Sequence, residues 1–119
     1  MADFNVNLRG VGSVSVIDVN GYLDAHTAPE LENVFNKLLN DKHYKVVVNF
    51  TDLKYISSAG LGVFMAYVET MRENRGDIKF SNMKENVYNI FDLLGFPILY
   101  EFYKDENEAI QKFCELSQS

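Results

Sequence analysis

The residues of this chain that could do chemistry are few, and the most conspicuous are two adjoining hydroxyls, Ser57 and Ser58, in "NFTDLKYISSAGLGVF". They stand between an apolar run that reads as a strand and an apolar-periodic run that reads as a helix. At such a junction a serine can cap the helix, cradle a phosphate, act as a nucleophile or accept a phosphoryl group. A cap needs one hydroxyl and is worth about 1 kcal/mol. It leaves the second serine, and the small Ala59 and Gly60 that keep the first turn bare, without a purpose. A pyrophosphate loop needs the Gly-x-Gly-x-x-Gly spacing or a Gly-Lys-Ser/Thr ending, and "SAGLGVF" has neither. A nucleophile elbow needs glycine two residues before the serine, where Ser58 has Ile56. A triad of Ser58 with His26 and Asp24 is the enzymatic option that remains open. A phosphoryl acceptor needs only an accessible hydroxyl and a surface that another protein can approach. Val63, Ala66, Tyr67 and Thr70, on another side of the helix, are small or moderately apolar, which fits either a flat partner site or packing on a neighbouring helix.

Metal binding fails on inventory. His26 and His43 are far apart, Cys114 has no second cysteine, and no carboxylates show ligand spacing, so neither metal nor cofactor is expected.

The composition narrows the class further. With 119 residues and 47% hydrophobic content, the chain reads as one domain, 1–119, large enough to bury a core without disulfides. Its net charge is −6, with Lys and Arg dispersed along the sequence, so a nucleic acid or an anionic membrane surface is not an expected partner. One cysteine implies a reducing, cytoplasmic setting. "MADFNVNLRG" lacks the features of a signal peptide and "LGVFMAYV" is too short to cross a bilayer, so no membrane insertion is expected.

The elements that must position the serines alternate in type. "FNVNL" and "VSVIDV" flank a glycine-rich turn and predict a strand hairpin. Leu31, Val34, Phe35, Leu38 and Leu39 share one helical face, opened by the capping box of Thr27 and Glu30 with Pro29 in the first turn. "KVVVNF" predicts a central strand covered on both sides. Leu61, Phe64, Val68 and Met71 predict the helix after the serines, with Gly76 as its C-cap. "IKF" and "PILYEFY" predict two further strands, with a helix over "KENVYNIFDLLG" between them. A last helix buries Ala109, Ile110, Phe113 and Leu116. The expected fold is α/β: a mostly parallel sheet of about five strands with an N-terminal hairpin strand, packed against four helices.

Two segments together, "VNGYLDAHTAPELE" and "VVNFTDLKYISSAGLGVF", resemble the STAS-domain family, specifically its stand-alone bacterial anti-sigma factor antagonists. The resemblance extends over nearly the whole chain. It implies a STAS-like fold and a non-enzymatic partner switch. In this scheme the unmodified protein binds an anti-sigma factor that is also a serine kinase, the form phosphorylated on serine lets go, and a PP2C-type phosphatase resets it. Matched position by position, the acceptor is Ser58, followed by Ala59, Gly60 and Leu61; Gly21, Asp24 and Thr27 match the loop beside it that helps contact the kinase. The family usually has Asp before the acceptor, where this chain has Ser57, which makes Ser57 both a partner contact and the second candidate acceptor. The resemblance also admits a STAS domain that regulates a transporter or senses a nucleotide. The expected antagonist is a monomer.

Overall fold

The computed structural model describes residues 4–93, 95 and 100–117. Strands β1 (Phe4–Val11) and β2 (Val14–Leu23) form the N-terminal antiparallel hairpin, turning at Gly12 with a φ of 60°. Helix α1 (Ala28–Asn40) follows, then β3 (Lys45–Asn49), β4 (Leu53–Ile56), α2 (Ser58–Glu73), β5 (Asp77–Ser81), α3 (Glu85–Leu93), β6 (Phe102–Tyr103) and α4 (Glu106–Ser117). The sheet runs β1-β2-β3-β5-β6, parallel from β2 onward, and β4 pairs with the far end of β2. Among the described residues it thus has six strands, where the sequence predicted about five. The additional one, β4, is four residues long with a buried-exposed-exposed-buried order that hides the two-residue period. Of "PILYEFY", only Phe102–Tyr103 forms a strand; residues 96–99 lie outside the described part, as do Leu94 and the side chain of Leu116.

The two faces of the sheet are packed differently. On one side α1, α2 and α3 cover Ile17, Val19, Val46, Val48, Ile78 and Phe80, and all of these are buried. Phe80 sits at the hub of this core, with the rings of Phe50, Phe64, Phe91 and Phe102 edge-on at 5.2, 5.1, 5.4 and 5.3 Å. On the other side α4 brings Ala109 and Phe113 onto Val14, Val16 and Val47. The three consecutive valines of β3 therefore divide between both cores, as a central strand requires.

Charge completes what this smaller core lacks. Lys79 is 1% exposed on the α4 side, with Nζ 3.1 Å from Glu101 and 3.5 Å from Asp77 and 4.9 Å from the centre of the Phe113 ring. Arg9 donates to both carboxylate oxygens of Asp18, at 2.7 and 2.8 Å, and also to Glu106 at the start of α4. Glu106 further accepts from the Asn49 amide at 3.0 Å. These bonds, Arg9 foremost, hold the Glu106 carboxyl below its ordinary range.

Both helix ends read from the sequence need correction. Thr27 occupies the N-cap of α1, but its hydroxyl makes no cap bond to the helix; it is used in the preceding loop, so the predicted capping box does not form. After α2 the left-handed residue is Arg75, with φ 67°, rather than Gly76. Glycine is required at 76 for a different reason, because a Cβ there would lie 1.8 Å from the carbonyl oxygen of Tyr44.

Candidate functional site

The path of β2 and β4 positions the serines. The two strands run parallel and end together, with Leu23 opposite Ile56, so the next residues of each, Asp24 and Ser57, emerge side by side at the carboxyl edge of the sheet. Ser57 N–H donates to the Leu23 carbonyl at 2.9 Å, tying the two exits together. Open parallel sheets commonly place their binding sites at this edge.

Ser57 is extended and takes the N-cap role: its hydroxyl accepts from Gly60 N–H at 3.4 Å, and its carbonyl accepts from Leu61 N–H at 3.0 Å. Ser58 is the first residue of the helix and is exposed. One serine caps and the other is left on the surface, which answers why there are two. No acidic side chain stands in the first turn, so the positive end of the helix dipole beside Ser58 has no local counter-charge.

The neighbouring loop is closed on itself. Asp24 Oδ1 accepts from the backbone N–H of His26 at 2.9 Å and of Thr27 at 3.2 Å. The Thr27 hydroxyl donates to the Tyr22 carbonyl at 2.8 Å and accepts from Asp24 N–H at 2.9 Å. Ala28 N–H donates to the Asp24 carbonyl at 2.8 Å. The Asp24 carboxylate is thus engaged by backbone, and among the described residues no side-chain hydrogen bond joins Ser58 to His26 or Asp24.

Burial separates the candidate contact residues into two groups. Ser58 and Ala59 are exposed, and Asp24 and Ser57 are half-buried. Gly21, Thr27, Gly60 and Leu61 are buried, directly beneath these exposed and half-buried positions in the chain. The smallness of Gly60 serves packing rather than a bare first turn, because a Cβ there would sit 2.7 Å from Leu23 Cγ. The face read as Val63, Ala66, Tyr67 and Thr70 also divides. Val63 is buried and Tyr67 stacks on Phe35 of α1 at 5.0 Å, leaving only Ala66 and Thr70 exposed.

The exposed side of α2 instead runs through Ser58, Ala59, Gly62, Met65 and Ala66 without a charge before Glu69. Met65 is 52% exposed. Sequence reasoning named Ser58, Ala59 and Ala66 but missed Met65, and missed Tyr22 and Tyr55, exposed register partners one residue in from the ends of β2 and β4. The available signal was an aromatic residue on the polar side of each strand end, next to the serine loop in one case and next to Asp24 in the other.

Comparison with known proteins gives a consistent result. The model of the STAS domain matches residues 5–109. The chain belongs to the STAS-domain family. An anti-sigma-B factor antagonist from Staphylococcus epidermidis is 30% identical over 79 residues, which cover 66% of this chain and 73% of the relative. Among solved structures, an anti-sigma factor antagonist from Mycobacterium paratuberculosis superposes with a TM-score of 0.85 at 21% identity, covering 93% of this chain and 94% of the other. The Bacillus cell fate determinant SpoIIAA in its phosphorylated form gives a TM-score of 0.70 at 19% identity, covering 92% and 98%. The α/β sheet with its antiparallel hairpin and four helices is therefore the STAS fold. Among the described residues, no helix of this STAS domain is long and apolar enough to cross a membrane.

Proposed function

We propose that this STAS domain is an anti-sigma factor antagonist that works by partner switching: it binds an anti-sigma factor serine kinase while unmodified and releases it once Ser58 is phosphorylated. The observation that carries this reading is the exposed Ser58 hydroxyl at the uncompensated start of α2, with the uncharged strip Ala59, Gly62, Met65 and Ala66 beside it. Kinship to proteins named anti-sigma-B factor antagonists supports the same role. A non-enzymatic part suits a site where the Asp24 carboxylate is bonded to backbone N–H groups. A PP2C-type phosphatase restores the unmodified form in this scheme, and the cytoplasm is its setting.

The physics of the switch follows from where the charge is added. A phosphoserine carries about −1.5 to −2 charges. In the free protein the helix N-terminus favours it by about 0.3–1 kcal/mol, so the fold tolerates it. In a closed interface a like charge about 4 Å away at an effective dielectric near 20 costs about 4 kcal/mol. Half of that already weakens binding by more than about tenfold. Modification thus acts at the surface and leaves the core as it was.

The test is incubation with the cognate kinase and ATP, read by intact mass. The expected result is a gain of one phosphate that Ser58→Ala abolishes and Ser57→Ala retains. Phosphate that persists in Ser58→Ala and vanishes in Ser57→Ala moves the acceptor to the capping serine. If unmodified protein captures transporter subunits and no kinase from its native cell, the antagonist reading is overturned.

A further inference from the structure

The sheet ends differently at its two edges. At one, β6 contributes only the two residues Phe102–Tyr103. At the other, β1 is paired with β2 along all eight of its residues, and among the described residues no strand pairs with its outer side. The hairpin turn decides which backbone groups that side presents. It has two residues, with positive φ at Gly12 and not at Ser13, the type II′ arrangement, so its flanking pair Val11 and Val14 exchanges both backbone hydrogen bonds. Inward and outward groups alternate along an antiparallel strand, so the N–H and C=O of Phe4, Val6, Leu8 and Gly10 point away from β2.

Edges meant to stay single are ordinarily blunted by proline, lysine, a bulge or sheer shortness. Phe4–Val11 has none of these: it contains no Pro or Lys, its register with β2 is unbroken, and it exceeds the length of about 5–6 residues common for strands. Its one charged side chain, Arg9, is turned back onto the sheet by Asp18 and Glu106. In a chain of net charge −6, the strand carries no acid. Its side chains sort by face. Phe4 and Val6 pack against the larger core, and Leu8, opposite Ile17 on that same face, is 38% exposed. Asn5, Asn7 and Arg9 stand on the other face. An exposed leucine beside a row of open donors and acceptors is covered by one kind of object, a further strand.

We propose that β1 pairs antiparallel with β1 of a second copy of this chain, about a two-fold axis at Asn7, so that one sheet runs through both molecules. The outward groups fix the register. With Asn7 on the axis, Val6 faces the partner's Leu8, Phe4 the partner's Gly10 and Asn5 the partner's Arg9, and every outward N–H and C=O from Phe4 to Gly10 has a complement. An axis at Val6 or Leu8 pairs fewer of them. Val6 then covers the exposed Leu8 and carries the larger core across the edge, the two Asn7 amides meet as donor and acceptor, and no like charges oppose each other. The edge is thus its own complement, which an unrelated peptide need not be. A two-fold contact also uses up the long edge, and the two residues of β6 offer little for further growth, so association closes at two. The contact leaves the acceptor free, because β4 and Ser57 lie along the opposite side of β2 from β1.

The experiment is sedimentation equilibrium of the full chain from about 10 μM to about 1 mM, the range in which a contact smaller than a standard interface associates. When dilute, the chain is the monomer expected from its sequence. With rising concentration its average mass should climb toward that of two chains, and amide exchange should slow at Val6, Leu8 and Gly10 but not at Asn7 and Arg9, whose N–H groups already face β2. Leu8→Pro removes an outward donor without touching a bond to β2, and Asn7→Lys sets like charges on the axis; each should weaken association by about tenfold or more. In a Cys114→Ser background, mild oxidation should link two chains carrying Asn7→Cys, whose Cα atoms meet at about 4.5 Å. It should not link chains carrying Asn5→Cys, which faces the partner's Arg9. A single-chain mass at every concentration overturns the proposal, as does a dimer that both Leu8→Pro and Asn7→Lys leave undiminished. Oxidation that links Asn5→Cys as readily as Asn7→Cys overturns it too. No kinase enters the experiment, so its outcome stands apart from the role of Ser58.

Discussion

The two faces of the sheet solve the same problem by different means. The face under α1, α2 and α3 is held by a continuous aromatic cluster centred on Phe80, whereas the face under α4 has a core of five small or single aromatic contributors helped by Arg9 and Lys79. Apolar burial is insensitive to salt and pH over the ordinary range, while ion pairs are weakened by both. The face carrying the serine helix is therefore expected to respond little to salt and acid, and the face carrying the C-terminal helix to respond more.

The largest effect should come from the aromatic hub. Phe80→Ala removes a fully buried ring with four edge-on ring neighbours, and a loss of about 3–5 kcal/mol in urea-denaturation stability is expected. A loss under about 1 kcal/mol would put the stability of the molecule elsewhere. Next is Gly60→Val, which drives a side chain into Leu23 and Ile56. A cost of about 1–3 kcal/mol is expected, together with slowed phosphorylation as the first turn of α2 shifts.

The charged face should yield less. Arg9→Ala breaks a partly exposed network and is expected to cost about 1 kcal/mol or less, with faster amide exchange in α4 and unchanged exchange in α2. Acid should act in the same direction. Because Arg9 holds the folded Glu106 carboxyl below its ordinary value of 4.5, its contribution is complete above that pH and is lost as pH falls through the lower folded value. Protection of α4 should therefore decline in acid before that of α2, and simultaneous loss would erase the distinction between the faces. Smallest of all is Lys79→Met. Exchanging a buried cation for an apolar chain of similar length is often neutral, Asp77 keeps Arg72, and Glu101 is 55% exposed, so an unchanged thermal midpoint is expected.

Much of the fold was legible because apolar spacing sets it locally. Leu31, Phe35 and Leu38 are all buried as their helical period predicts, and the run Val46 to Val48 is central as its composition predicts. The strand β4 was not legible because its residues follow the geometry of a register shift in β2 between Gly21 and Tyr22, which has no local signature. In the candidate site, the junction at Ser57 and Ser58 could be read from the apolar run Val46 to Phe50 upstream of it and the helical spacing that begins at Leu61. The burial of Gly60 and Leu61 depends on how closely α2 approaches Leu23, a tertiary fact.

The loop from Asp24 to Thr27 reaches its bonded shape before any regulator arrives. In the partner switch proposed above, docking on this loop would involve little ordering of the chain, which would keep encounter rapid and leave the strength of the complex free to respond to chemical change at a single oxygen. Such a surface discriminates through how long a visitor stays.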